Sequence, residues 1–152
     1  MGLITVNDVE YGPITKGANK TTAPRRVSDV VANAAVDAIC RLFNGGYLRI
    51  YGGQQPASPA VATRAIPLAE LRFHTTAFKA PVGGEAVAYP ITCDTAKSRN
   101  GTATWFRTFM ADGTTALQDG SVGTSGSDIN LNSAEIPENV QVSLNKFTVG
   151  MK

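Results

Sequence analysis

The stretch that most constrains the fold is residues 101–131, GTATWFRTFMADGTTALQDGSVGTSGSDINL, which holds the only tryptophan of the chain. Its opening part alternates threonine with aromatic and other side chains, a pattern typical of a pleated, half-buried strand. Asp112-Gly113 follows directly and favours a tight hairpin, because these residues tolerate a positive φ. Asp119-Gly120 and the glycine- and serine-rich residues 121–128 predict further turns or bulges. The stretch therefore predicts an antiparallel meander at the centre of the protein.

One helix is predicted before this region, over residues 27–43. Ser28 is a suitable N-cap, and Asp29 suits the positive end of the helix dipole. The run Asn44-Gly45-Gly46 then favours a left-handed exit from the helix. An apolar stripe at helical spacing favours packing on the protein's own sheet, with packing on a second copy as the alternative; its members are Val27, Val31, Ala34, Ala38 and Leu42, and Val30 and Phe43 widen it.

Short alternating runs separated by turn residues predict about seven strands in total. Outside the central stretch they lie at residues 47–51, 68–73, 85–92 and 140–149. Pro90 lacks an N–H and should lie at an edge or bulge, while the change of register near Asn145-Lys146 predicts a bulge or a strand that changes sheets. The predicted fold is mainly β, an antiparallel β-sandwich or jelly roll with one N-terminal helix, in a single domain over residues 27–152.

Residues 1–26 are predicted to form an extended N-terminal arm, because residues 10–26 show neither helical nor strand periodicity. A loosely attached terminus and an arm that becomes ordered on a partner surface both fit this composition. Positive charge is concentrated here, and we predict that an acidic groove on a partner protein would attract it. The candidate contact residues are Lys16, Lys20, Arg25 and Arg26.

Composition narrows the function classes. The chain has 14 Lys and Arg against 12 Asp and Glu, a net charge of +2, which argues against a dedicated nucleic-acid binder. Charged residues make up 17% of the sequence, below the roughly 25% of an average soluble domain. No run approaches the ~20 apolar residues of a membrane span, and residues 1–10 lack the pattern of an export signal. We therefore predict a protein that binds no membrane and no nucleic acid.

The residues that could carry chemistry form no catalytic or metal-binding pattern. His74 is the only histidine and is predicted to be a partly exposed surface group. Cys40 and Cys93 are too few for a disulfide framework; we predict a buried hydrophobe and a structural residue, with one disulfide as the less favoured alternative. Turn chemistry accounts for the scattered acids Asp94, Asp112, Asp119 and Asp128. We predict no enzymatic activity, no catalytic residue, no cofactor and no metal.

Trp105 allows two interpretations. An inward tryptophan in the core of a β-protein is favoured. The alternative is a stacking platform for a sugar or a base, formed with Phe106 and Arg107.

Three runs resemble a family of small proteins encoded among the virion-structure genes of tailed bacteriophages and prophages. They are YLRIYGGQQPAS at residues 47–58, LAELRF at 68–73 and NGTATWFRTFMADGTTALQDGSVGTSGSDINLNSAEI at 100–136. The resemblance covers roughly residues 27–149, and its part over 101–132 is the specific one. It implies a β-sandwich structural protein of the head, of the kind that cements or decorates an HK97-type capsid.

The expected function is that of a capsid cement protein, made in the host cytoplasm and located on the outer surface of the virion head. Its expected partners are the major capsid protein and further copies of itself. The alternative is a tail or head–tail structural protein, including a receptor-binding module in which Trp105, Tyr47 or Tyr51 stacks on a host glycan. A hydrolase is the least favoured hypothesis, because the sequence has a single histidine and no nucleophile motif.

Overall fold

A computed structural model of the chain describes residues 26–93 and 98–151, without the side chains of Thr92 and Cys93. The described part is mainly β with one helix. Its elements are α1 (Asp29–Arg41), β1 (Tyr47–Tyr51), β2 (Ala69–Arg72), β3 (Glu85–Val87), β4 (Thr92–Cys93), β5 (Gly101–Thr102), β6 (Trp105–Phe109), β7 (Ala116–Gly123), β8 (Ile129–Asn130), β9 (Glu135–Ile136) and β10 (Thr148–Gly150). No helix in this part of the chain is long and apolar enough to cross a bilayer.

The main sheet has six strands in the order β4-β2-β1-β6-β7-β8. The predicted hairpin at Asp112-Gly113 is confirmed, since β6 and β7 pair antiparallel on either side of it and Gly113 has a φ of +71°. The prediction of an antiparallel sheet is only partly right, because β7 and β8 pair in parallel. Two small antiparallel sheets, β3–β10 and β5–β9, complete the described part.

The core lies between α1 and the inner face of the main sheet. Leu48 and Ile50 of β1 and Leu71 of β2 are fully buried there. Four phenylalanines close the core beside them, with the rings of Phe43 and Phe73 in edge-to-face contact at 5.3 Å; the other two are Phe78 and Phe147. Such pairs add about 0.5–1.5 kcal/mol each beyond their area burial.

The start of α1 agrees with the sequence. Ser28 caps the helix by accepting a hydrogen bond from the Val31 amide at 3.3 Å, and Asp29 lies in the first turn. An exposed ion pair joins Arg41 to Asp37, one turn earlier in the helix, at 2.8 Å. Gly45, with a φ of +64°, makes the turn after the helix.

The predicted orientation of α1 is wrong. The stripe that was expected to face the sheet is turned towards solvent, with Val31 47% and Leu42 45% exposed. Ala32, Val36 and Cys40 are buried instead. They lie on the same side of the helix as Phe43, the one residue of the predicted stripe that is buried, which belongs to the aromatic cluster.

Two predicted strands are shorter than expected. The run 85–92 is divided into β3 and β4, and Pro90 lies in the irregular segment between them, as its missing N–H requires. The run 140–149 forms a strand only from Thr148, although Leu144 makes a single bridge to Ile91. Leu144 and Phe147 are both buried despite their odd spacing. The predicted bulge or change of sheets near Asn145-Lys146 is nevertheless wrong, because no strand spans residues 140–147.

The predicted break at Asp119-Gly120 is also wrong, because β7 continues through it from Ala116 to Gly123. Gly120 is required there by packing: a Cβ at this position would lie 2.3 Å from Cε1 of Phe106 on the neighbouring strand. Asp119 pairs with an arginine across the hairpin instead of closing a turn.

Candidate interaction surface

The outer face of the main sheet carries a row of four charged residues across four neighbouring strands. Glu70 of β2 lies opposite Arg49 of β1, Arg49 lies opposite Arg107 of β6, and Arg107 lies opposite Asp119 of β7. Each acid forms an ion pair with the arginine beside it, at 2.8 Å for Arg49–Glu70 and 2.6 Å for Arg107–Asp119. These four residues are called the charged row below. Its two central arginines are held side by side because an acid neutralises each of them.

Arg107 is the most deeply buried charge in the row. Its side chain is 2% exposed and that of Asp119 is 3% exposed. Two guanidinium nitrogens donate to the two carboxylate oxygens of Asp119, at 2.6 and 2.8 Å. The remaining donors reach the carbonyl oxygens of Val61 at 2.8 Å and Ser58 at 3.1 Å. The hydrogen bonds to Asp119 raise the pKa of Arg107 and so favour its charged form.

These carbonyls belong to residues 52–67, called the covering loop, which crosses the outer face of the sheet. The start of the loop is also fixed, because Nε1 of Trp105 donates to the Gly52 carbonyl at 3.1 Å. Between the loop and the charged row lies an open groove of about 880 Å³. All buried side-chain polar atoms in the described residues have hydrogen-bond partners. Because Arg107 is hydrogen-bonded to the loop carbonyls as well as to Asp119, we interpret this part of the row as a structural device that holds the loop on the sheet.

Two of the aromatic residues considered for ligand stacking, Trp105 and Tyr51, are buried beneath this loop. Trp105 is 1% and Tyr51 2% exposed, and their rings stack on each other with centroids 4.3 Å apart. The predicted burial of Trp105 is thus confirmed, but its side chain lies on the outer face of the sheet with Arg107, apart from the core cluster that includes Phe106. Burial raises the pKa of Tyr51, consistent with a phenol that water hardly reaches. Tyr47, only partly buried, has the guanidinium groups of Arg49 and Arg72 against its ring.

The other candidate surface is the side of α1 that faces away from the core. It carries several exposed apolar residues, and Val30 at its beginning is 79% exposed. We call these apolar residues the outer helix face, formed by Val30, Val31, Ala34, Ala38 and Leu42. The ion pair of Asp37 and Arg41, one turn apart, is exposed on the same helix. Contiguous exposed apolar residues of this kind mark surfaces that bind other proteins.

Three of the four predicted contact residues, Lys16, Lys20 and Arg25, lie outside the described residues. Arg26 is described, is exposed, and lies two residues before Ser28, the N-cap of α1. The structure therefore places the end of the basic segment at the beginning of the outer helix face.

The residues considered for chemistry have structural roles where they are described. His74 is exposed, and its Nδ1 accepts from the Thr76 amide at 3.3 Å. Cys40 is a buried free thiol, and burial raises its pKa to about 11. Asp128 accepts from the amide and hydroxyl of Ser121, both at 2.8 Å. No group of three or more potential metal ligands occurs within residues 26–93 and 98–151.

The charged row was not predicted, although the sequence contains a signal for it. A hairpin centred on Gly113 places residue 107 opposite residue 119, and this is the observed register. The interpretation of Asp119-Gly120 as a second turn placed Asp119 outside the strand, so the ion pair between Arg107 and Asp119 was not predicted. The outer helix face could not be found in the same way, because α1 has two apolar stripes.

No protein-family model, no curated protein and no solved structure matches the chain.

Proposed function

We propose that the protein is a capsid cement, or decoration, protein of a tailed bacteriophage. It binds the outer surface of the head and stabilises contacts between neighbouring major capsid proteins. Its β-sandwich or jelly-roll body forms a rigid wedge, and its N-terminal arm makes the attachment. It is made in the host cytoplasm and is located on the outside of the virion head.

The observation that carries this proposal is the outer helix face. A small protein that leaves the side chains of Val30, Val31 and Leu42 in solvent exposes apolar surface that a protein partner would cover. The family resemblance of residues 101–132 supplies the class of partner, the proteins of a phage head.

The covering loop supports the proposal that the β-body is a rigid wedge. A wedge between capsid subunits has to keep its shape, and the loop is fixed to the sheet by hydrogen bonds from Arg107 and Trp105. A hydrogen bond from a charged donor contributes about 1.5–3 kcal/mol to stability. Long surface loops are otherwise the most mobile part of a domain.

The basic residues of the arm supply the attraction to the capsid. Lys16, Lys20, Arg25 and Arg26 carry four positive charges in a segment that has no acid after Glu10. An acidic groove on the major capsid protein complements them, and salt weakens the attraction as the Debye length falls to ~8 Å at physiological ionic strength. Repetition of the site over the capsid strengthens each weak contact.

The test uses heads of the phage that encodes the protein, assembled after its gene has been deleted. Purified full-length protein should bind these heads and should restore their resistance to heat and osmotic shock. Binding should decrease with salt. If the protein does not bind, or if deficient heads are as resistant as complete ones, the proposal is wrong.

A matched pair of variants shows whether the arm makes the contact. One variant reverses the four basic arm residues to Glu, and the control reverses four basic residues that are exposed elsewhere: Arg64, Lys79, Arg99 and Lys146. Both variants change the net charge by the same amount. We expect the arm variant to lose binding at physiological salt and the control to keep it; equal binding by the two would contradict a role for the arm.

The receptor-binding alternative is less well supported. Stacking on a glycan needs an accessible aromatic ring, whereas Trp105 and Tyr51 are covered by the loop. A head–tail or tail structural role makes the same demand for protein contacts as cementing, and the binding test distinguishes it because such a protein would not attach to deficient heads.

A further inference from the structure

We propose that residues 3–6 of the chain, Leu-Ile-Thr-Val, add a strand in a groove that is lined by the open edges of two sheets. The groove has a volume of about 970 Å³, and both β7 and β10 contribute to its lining. Cementing of a capsid does not require this strand, and the test of the strand uses the purified protein alone.

The first open edge belongs to β7. This strand has eight residues, and β8 pairs only with its last two, Val122 and Gly123. Among the described residues, no strand pairs with residues 116–121 on the side away from β6. Native proteins usually pair, cover or block an edge of this length, because its main-chain groups otherwise attract other strands.

Main-chain groups of β7 face this open side. Successive residues of a strand direct their amide and carbonyl groups to alternate sides. The Val122 amide donates towards β6, to the Thr104 carbonyl, whereas the Ser121 amide donates away from β6, to Asp128. Asp119 has the same orientation as Ser121. Its side chain is 3% exposed while the residue as a whole is only half-buried, so its exposed atoms belong to the main chain.

The second open edge belongs to β10, for which β3 is the one strand partner within the described residues. The Met151 amide donates to the Gly84 carbonyl at 2.9 Å, so residue 151 faces β3. Alternation then directs the amides and carbonyls of Thr148 and Gly150 away from β3. Both of these residues are exposed and line the groove.

The groove suits a short extended peptide. Its two open edges offer main-chain donors and acceptors, and the buried side chains of Phe106, Ile129 and Phe147 supply apolar surface. A strand in this position pairs its own main-chain groups and buries alternate side chains. An edge strand of a second copy would bring the rest of its sheet with it, whereas a terminal segment can enter alone.

The N-terminal segment of the same chain has the composition of such a strand. Ile4, Thr5 and Val6 are β-branched, and strands favour residues of this type. Leu3 extends the run to four residues, which fits within the open edge of β7.

The position of α1 places this segment within reach of the groove. Gly84 lines the groove, and its amide donates to the side chain of Asn33, in the second turn of α1, at 2.7 Å. The described chain begins shortly before this point, at Arg26. Residues 7–25 can span up to roughly 60 Å when extended, which is more than a groove beside α1 requires. An arm fixed at both ends would hold its basic residues in a loop and leave them available to a capsid protein.

Amide hydrogen exchange of the purified full-length protein, followed by NMR, tests the proposal. The amides of Asp119, Thr148 and Gly150 should exchange at least about tenfold more slowly in the full-length protein than after deletion of residues 1–9. The Val122 amide is paired within the described residues. It should be equally protected in both proteins and serves as the control for intact folding.

A matched pair of full-length variants locates the segment. Ile4→Pro removes an amide and disrupts a strand over residues 3–6, so the edge amides should lose their protection and the melting midpoint should fall by about 5 °C. Ile14→Pro makes the same change in the arm outside this segment, and it should behave as the wild type does in both measurements.

Edge amides that exchange without protection in the full-length protein overturn the proposal. Protection that survives the deletion of residues 1–9 overturns it as well, since another occupant such as a second copy would then fill the groove. Equal effects of Ile4→Pro and Ile14→Pro contradict the assignment to residues 3–6. None of these results depends on binding to heads, so the cement function stands or falls on its own test.

Discussion

Arg107 joins two strands and a loop through one guanidinium group. Its partners are Asp119 on the adjacent strand and the carbonyls of Ser58 and Val61 on the covering loop. Burying two charges is costly unless each is neutralised and fully hydrogen-bonded, and here both conditions are met. Removing one partner should therefore reduce the free energy of unfolding by far more than the intact pair contributes to it.

We predict that Arg107→Met reduces the free energy of unfolding by about 3–5 kcal/mol, because Asp119 would remain as an unpaired buried carboxylate. The double variant Arg107→Met with Asp119→Leu should lose less stability than the single variant, since it leaves no buried charge. Chemical denaturation measures both. The control Arg41→Met breaks the exposed pair with Asp37 and should change stability by less than about 0.5 kcal/mol. A single variant as stable as this control would contradict the role assigned to the buried pair.

Asp112 affects the pH dependence of stability. The Thr115 hydroxyl and the amides of Thr115 and Thr114 donate to its carboxylate, and they lower its pKa from 3.8 to about 2. A depressed pKa contributes stability above the unfolded value, and this contribution is lost as the pH falls from about 4 towards 2.

The prediction is that Asp112→Asn flattens the decrease in unfolding midpoint over that window. Asn keeps an acceptor oxygen but cannot titrate. Thermal melts at pH 4 and pH 2 compare the two proteins, and carbon NMR titration of the Asp112 carboxyl should give a pKa near 2. A measured pKa at the ordinary value of 3.8, or identical pH slopes, would show that these hydrogen bonds do not persist in solution.

At the scale of elements, the covering loop depends on the sheet beneath it. Arg107→Lys keeps the charge beside Asp119 but has a single nitrogen, so it cannot also reach both loop carbonyls. We expect trypsin to cut after the exposed Arg64 about tenfold faster in this variant, because the loop opens more often. Cleavage after the exposed Lys79, which lies outside the loop, is the internal control. Equal acceleration at both sites would indicate general destabilisation instead of release of the loop.

The elements whose signals are local could be predicted from the sequence. Ser28 as the cap, Tyr47–Tyr51 as a strand and the Asp112-Gly113 hairpin all follow from short patterns, and the structure contains each of them. The buried side of α1 could not be predicted from periodicity, because the stripe that includes Val36 and Cys40 repeats as regularly as the one that includes Val31 and Ala38. Contact with the distant Phe73 and Phe78 decides between them.

Asp119 and Gly120 of β7 also could not be placed correctly from the local sequence. Asp119-Gly120 has the composition of a turn, yet the ring of Phe106 and the guanidinium of Arg107 on the next strand make both residues necessary in a strand. Cross-strand packing, and not local turn propensity, therefore determines the conformation of these two residues. Of the candidate surface, the basic residues were evident from the sequence, whereas the outer helix face emerged only from the three-dimensional packing.

For the whole molecule, the residues that the structure describes contain a hydrophobic core of their own. Its buried residues run from Ala32 to Phe147, and the first element begins at Asp29. Deletion of residues 1–24 should therefore leave a single cooperative unfolding transition, while binding to deficient heads falls sharply with the loss of Lys16 and Lys20. Calorimetry and head-binding assays measure the two effects. Loss of cooperative unfolding would mean that the arm belongs to the core, and unchanged binding would mean that the β-body alone makes the contact.

The most direct test of the proposed function is cryo-electron microscopy of heads assembled with and without the protein. We predict additional density on the outer capsid surface in the complete heads, with the β-body bridging neighbouring major capsid proteins and residues 1–26 against an acidic surface of one of them. Complete heads whose outer surface is indistinguishable from that of deficient heads, or density for this chain at the tail alone, would contradict it.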